Sequence, residues 1–190
     1  MKPFLLKKIQ WQFVIAFVIS IFPLIGAAQV NPNFHLYYLI GQSNMAGRGE
    51  VVNEFVNMGH PRVLMLNAAN QWVPARNPVH FDKPEAGVGP GLAFAIKMAE
   101  ANPSITIGLI PCAAGGSSIS AWQPGGTHTL NGVTVHPYDD GLVRANIARQ
   151  TGVMKGVLFH QGEANSSSNY GTWSSSVKTL IDNLRSAFSN

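Results

Sequence analysis

The sequence predicts an α/β protein: one parallel sheet covered by helices on both faces. Three observations carry that reading. Strand-like apolar runs alternate with segments of helical spacing, the order that builds parallel sheets. The first run, residues 34–40 (FHLYYLI), is apolar without alternation apart from His35, as suits a buried strand. Small and polar residues follow directly on three of the runs, where α/β sheets place their ligand crevices. At 190 residues the chain suits a single domain with a full core.

The elements follow in order. Residues 34–40 form the first strand and stop at Gly41; residues 62–67 form a second. Residues 90–101 have helical spacing, with Leu92, Ile96 and Ala99 on one side, and Pro103 stops them. Residues 105–110 read as another buried strand, residues 138–152 as a helix closed by Gly152, and residues 156–160 as a strand. A helix over about 173–188 ends the sequence, entered from an exposed serine-rich loop. Residues 123–137, rich in Gly, Thr and His, read as a loop on the substrate side.

Residues 1–28 have a separate character. Lys2, Lys7 and Lys8 precede an apolar run over 13–26, and Gly26-Ala27-Ala28 places small residues before Gln29. That layout predicts a secretory signal peptide cleaved after Ala28, hence a secreted or periplasmic protein. The alternative is a retained anchor, although the run is short for a membrane span and Pro23 interrupts it. Three of the 13 Lys+Arg lie in this segment, leaving ten against nine Asp+Glu. No basic stripe points to nucleic acid. The lone Cys112, in an apolar run, reads as a small buried residue and excludes an intrachain disulfide. His128 and His136 lack zinc spacing and a third ligand, so no metal is expected.

Three segments should converge beyond the carboxyl ends of the strands: Gly41-Gln42-Ser43-Asn44-Met45-Ala46-Gly47, Ala114-Gly115-Gly116-Ser117-Ser118 and His160-Gln161-Gly162-Glu163. Ser43 follows a buried strand on a glycine-flanked turn, the placement a serine nucleophile needs. Ser43-Asn44 could equally cap the next helix. The motif is not the Gly-x-Ser-x-Gly elbow, because position 45 is Met. Gly115-Gly116 can present backbone N–H groups to an oxyanion, and without a following Gly-Lys-Ser/Thr it is no P-loop. Gln161 can donate from its amide, and Glu163 can orient an imidazole.

Together these three blocks, with Ile119 and Trp122 after the second, resemble the SGNH (GDSL-like) hydrolases, within them carbohydrate esterase family 6 and the sialate O-acetylesterase-like domain. The resemblance covers residues from about 35 to the end. It implies a flavodoxin-like three-layer α/β/α fold and cofactor-free removal of acetyl groups from carbohydrates. Ser43 would be the nucleophile. The N–H groups of Ser43 and Gly116 and the amide of Gln161 would form the oxyanion hole, and Glu163 would be the acidic partner of a histidine. That histidine stands in an Asp-x-x-His motif in the family, and these 190 residues contain none. A domain incomplete at its C-terminus, missing a strand and that loop, is therefore expected. His160 is the substitute base to weigh. Met45, Trp122 and Tyr170 either line a sugar pocket or pack the loops. A vestigial carbohydrate-binding domain and a lipase- or thioesterase-like hydrolase are the competing readings.

Overall fold

The computed structural model describes residues 29–167 and 170–189. The expected signal segment, residues 1–28, lies outside them.

The fold is built around β1 (Asn31–Gly41), whose alternate side chains enter two separate cores. Tyr37 and Leu39 face one side, and Leu36, Tyr38 and Ile40 face the other. A run apolar at successive positions can be buried on both faces at once, and β1 is, from Leu36 onward. After it come two single-turn helices, α1 (Ser43–Ala46) and α2 (Asn53–Val56), then β2 (Val63–Leu66) and β3 (Trp72–Pro74). Helix α3 (Pro90–Ala101) precedes β4 (Thr106–Pro111). A 3₁₀ turn (Ile119–Trp122) leads to a separate hairpin, β5 (His128–Leu130) and β6 (Val133–Val135). Helix α4 (Pro137–Arg149), β7 (Gly152–His160), a second 3₁₀ turn (Glu163–Asn165) and α5 (Tyr170–Phe188) complete the order.

The main sheet runs β3-β2-β4-β1-β7. All its neighbours are parallel except β3, which pairs antiparallel with β2 and ends at Pro74. Proline donates no ladder hydrogen bond, so an edge position suits it. On one face, Leu92, Ala95, Ile96 and Ala99 of α3 pack on Leu39, Ile107, Leu109 and Val63. On the other, Ala145 and Ala148 of α4 and Leu180 and Leu184 of α5 pack on Leu36, Tyr38, Ile40 and Ile110. The result is the expected three-layer α/β/α arrangement, with a mixed rather than wholly parallel sheet.

Two local expectations are corrected. Gly152 does not close a helix: α4 stops at Arg149, and Gly152 opens β7, pairing with Asn31. Its Cα lies against the Phe34 carbonyl, where a Cβ would come within 2.5 Å. Part of the expected substrate-side loop is the β5–β6 hairpin, turned by Asn131 and Gly132 at φ 51° and 78°. Asn-Gly is the strongest short hairpin signal, because both residues tolerate positive φ. Among the described residues no helix is long and apolar enough to cross a membrane.

Candidate active site

The three loop segments meet at the carboxyl end of the sheet. Gln42 N–H donates to the His160 carbonyl (3.0 Å), and Ala114 N–H to the Gly41 carbonyl (2.9 Å). The chain leaves β1 through Gly41 at φ 133°, where a Cβ would sit 2.0 Å from the His160 oxygen. Only glycine lets the Ser43 turn approach β7 this closely.

Ser43 is the first residue of α1 and half-buried. Among the described residues its hydroxyl has no hydrogen-bond partner. Its backbone N–H and that of Gly116, an exposed residue at φ 86°, are likewise uncommitted to the described protein. Gly115 is held differently: its N–H donates to Asp82 Oδ2 (2.9 Å). Asp82 is buried and ion-paired to Arg48 at 2.7 Å, and Arg48 also donates to the Gly47 carbonyl. The second block is thus tied to the end of the first through a carboxylate that sequence reasoning passed over. Asn131 of the hairpin caps this unit, donating to the Asp82 carbonyl (3.0 Å). His128 Nε2 lies 3.1 Å from the Gly115 carbonyl.

Glu163 and His160 are both exposed. Asn44 Nδ2 donates to Glu163 Oε1, and His160 Nε2 lies 3.6 Å from the same oxygen. The structure therefore brings Glu163, Asn44 and His160 together on the rim beside Ser43. Nothing described holds the His160 ring on the Ser43 hydroxyl.

Gln161 and Gln42 are buried behind the rim. Gln161 Nε2 lies within hydrogen-bond distance of Asn165 Oδ1 (2.7 Å), Ser117 O (3.2 Å) and Gln42 Oε1 (3.2 Å). Its Oε1 accepts from Trp173 Nε1 (2.8 Å). Gln42 Oε1 also accepts from Ala164 N–H (3.1 Å). Asn165, Trp173 and Gln42 are the residues that sequence reasoning missed here. Gln42, inside the first block, had the one available signal; the others join the site only through tertiary contacts.

Of the three candidate pocket residues, Met45 and Trp122 are buried in the cores, with Trp122 Nε1 donating to Ser117 Oγ (2.9 Å). Tyr170 is 77% exposed and borders a cleft of about 300 Å³ with Gln161, Gly162, Asn165, Ser166 and Trp173. Burial pushes the Cys112 thiol up to about 11, which leaves it protonated and a poor nucleophile. His80 is buried beside Asp82, and burial lowers it to about 4 against the opposing pull of that carboxylate. Among the described residues no three His, Cys, Asp or Glu side chains gather to hold a metal ion.

A serine on the turn after β1, free backbone donors beside it and a carboxylate on the neighbouring strand's turn are three parts of a serine esterase site; the fourth, a base on the serine hydroxyl, is not in place among the described residues. Residues 33–190 match the family model for carbohydrate esterases described as sialic acid-specific acetylesterase, and the chain belongs to that family. A probable carbohydrate esterase of Arabidopsis thaliana is 34% identical over 180 residues, covering 82% of this chain; the chain spans 64% of that relative's length. A crystal structure of an Arabidopsis thaliana protein superposes with a TM-score of 0.69 at 32% identity, covering 82% of this chain and 69% of that one. The structure of NanS is similar in fold at TM-score 0.62 and 20% identity, covering 83% of this chain and 63% of the other. So is a carbohydrate acetylesterase from Xanthomonas citri, at 0.56 and 18%, covering 80% and 38%.

Proposed function

We propose that this chain carries the esterase site of an exported carbohydrate O-acetylesterase that works through an acetyl-Ser43 intermediate. Family membership supports the substrate class, and residues 1–28, read as a signal peptide, support export. The observation that carries the chemistry is the uncommitted Ser43 hydroxyl beside two uncommitted backbone N–H groups, its own and that of Gly116.

In this reading Ser43 Oγ attacks the acetyl carbonyl carbon while its proton passes to an imidazole. The oxyanion lies on the N–H groups of Ser43 and Gly116, which point at charge that develops only in the transition state. The imidazolium returns its proton to the departing sugar oxygen. Water then cleaves the acetyl-Ser43 ester by the same route and releases acetate. Glu163 orients the imidazole and offsets its positive charge. His160 is the ring already beside Glu163, and it serves as base if one ring nitrogen stays on Glu163 while the other reaches Ser43 Oγ. The sugar rests against the exposed Tyr170 ring in the cleft at the start of α5.

Acyl-chain and substrate preference test this function. Acetate should be released from O-acetylated sialic acid or acetylated xylan, and aryl acetate should be cleaved faster than aryl octanoate. Preference for the octanoate would replace this reading with the lipase-like one. Sugar binding without any turnover would replace it with a binding domain. Within a positive result, loss of turnover in His160→Gln identifies the base.

A further inference from the structure

The Gln161 carboxamide is engaged at both its nitrogen and its oxygen inside the protein. A primary amide nitrogen carries two hydrogens, and Gln161 Nε2 already faces three acceptors inside the protein: Asn165 Oδ1 at 2.7 Å, and Ser117 O and Gln42 Oε1 at 3.2 Å. The side chain is buried, which closes off rearrangement into solvent. Its orientation is set from the opposite side. Trp173 Nε1, a donor that cannot accept, meets Gln161 Oε1 at 2.8 Å, so the oxygen must face α5 and the nitrogen the sheet end.

The partners of that nitrogen belong to all three site segments. Ser117 follows Gly116, and Gln42 precedes Ser43. Asn165 lies in the Glu163 turn and spends its Oδ1 on a second donor as well, Ile119 N–H at 2.9 Å. Asn165 thereby bridges the Glu163 turn to the residues just beyond Gly116. The Trp173 ring covers Gly162, whose Cβ position lies 3.6–3.8 Å from the indole.

We propose that Trp173 is a positioning residue of the esterase site: its indole N–H fixes the Gln161 carboxamide as an internal pin that holds the Gly116 loop against the Glu163 turn. The proposal rests on the esterase reading for its kinetic consequences but not for its structural ones.

The test compares Trp173→Phe, Gln161→Ala and the double variant of the full chain on an aryl acetate. Trp173→Phe keeps a ring over Gly162 and removes only the N–H. Misplaced donors should lower kcat by about 10-fold with KM nearly unchanged. Because Trp173 acts through Gln161, the double variant should be no slower than Gln161→Ala alone. Additive losses would overturn the proposal. So would a loss of about 10²- to 10³-fold in Gln161→Ala, the cost of a direct oxyanion donor, beside an unaffected Trp173→Phe.

A second readout needs no activity: hydrogen exchange of the ¹⁵N-labelled Trp173 indole. It should be slow in the unmodified chain and faster in Gln161→Ala. Unchanged exchange sinks the pin whatever the kinetics. Faster exchange in a chain without turnover keeps the pin and removes the esterase reading. Asn165→Ala, which deletes one acceptor of the amide and leaves Gln161 in place, should shift the indole exchange in the same direction if Gln161→Ala does not fold.

Discussion

The two strands that flank β1 carry different halves of the site on very different foundations. On one side β4 is paired along both edges, by β1 and β2, and is buried from Ile107 to Pro111. On the other, β7 pairs only with β1 among the described residues, and its side chains alternate between half-buried and exposed, with Lys155 and Val157 outward. A groove of about 520 Å³ runs between β7 and α5, lined by Ile40, Met154, Phe159, Leu180, Leu184 and Phe188. The Gly116 loop thus grows from a finished core. The Glu163 turn grows from an edge, and the Gln161–Asn165–Trp173 contacts fasten it there. Side-chain hydrogen bonds substitute locally for the two-sided packing that β4 enjoys.

Core truncations should expose this difference most. Leu109→Ala in β4 removes a fully buried side chain shared by the Leu39 and Ile107 cluster, and is expected to cost about 3–4 kcal/mol by chemical denaturation. Val157→Ala in β7, already 36% exposed, should cost less than about 1 kcal/mol. Equal costs would mean that β7 is covered in solution by something the described residues do not supply.

The Gly115 support should come next. Asp82→Asn leaves Arg48 without its ion-pair partner, and Arg48 keeps 26% of its side-chain surface in water. The expected loss is therefore about 2–3 kcal/mol, below the full cost of orphaning a buried charge. Turnover should fall with it, because Gly115 N–H loses its charged acceptor. A variant as stable and active as the parent would show that the Gly116 loop holds its place without Asp82.

Acid should act on the β4 side too, through His80. Its ring is driven to about 4 in the fold against an ordinary 6.5, so the unfolded chain binds the extra proton between those values. The sign follows from linkage: stability is full above about pH 6.5 and falls as pH drops toward 4, by up to about 3 kcal/mol from this group. His80→Gln should flatten that acid limb in urea midpoints measured from pH 7 to 4. An unchanged slope would assign the acid sensitivity to other groups.

The same contrast explains what the sequence made legible. The run over 34–40 shows β1 and its burial on both faces, because five successive apolar residues, Leu36 to Ile40, have one structural meaning in an alternating α/β chain. The convergence of the Ser43, Gly116 and Glu163 segments follows from their places after strands, and the Gln42–Gln161 and Asn44–Glu163 contacts realise it. The start of β7 was hidden. Gly152, Lys155 and Gly156 break its apolar run, and a half-exposed edge strand needs no continuous one. Asp82, Asn165 and Trp173 were hidden for another reason. Each acts through a partner distant in sequence or on another element, and no local spacing encodes that. Asn131-Gly132 was legible as a hairpin turn, and only the surrounding Gly- and Thr-rich composition made it read as loop.

The central claim is that Ser43 is a nucleophile, and the most direct measurement is acetate release from an aryl acetate and from an O-acetylated sugar by the chain and by Ser43→Ala. Both proteins should show the same melting curve, and turnover by the variant should fall at least about 10⁴-fold, as loss of a catalytic serine does. Turnover that survives Ser43→Ala in an equally folded protein would contradict the account and leave Ser43 as an ordinary residue of the turn after β1.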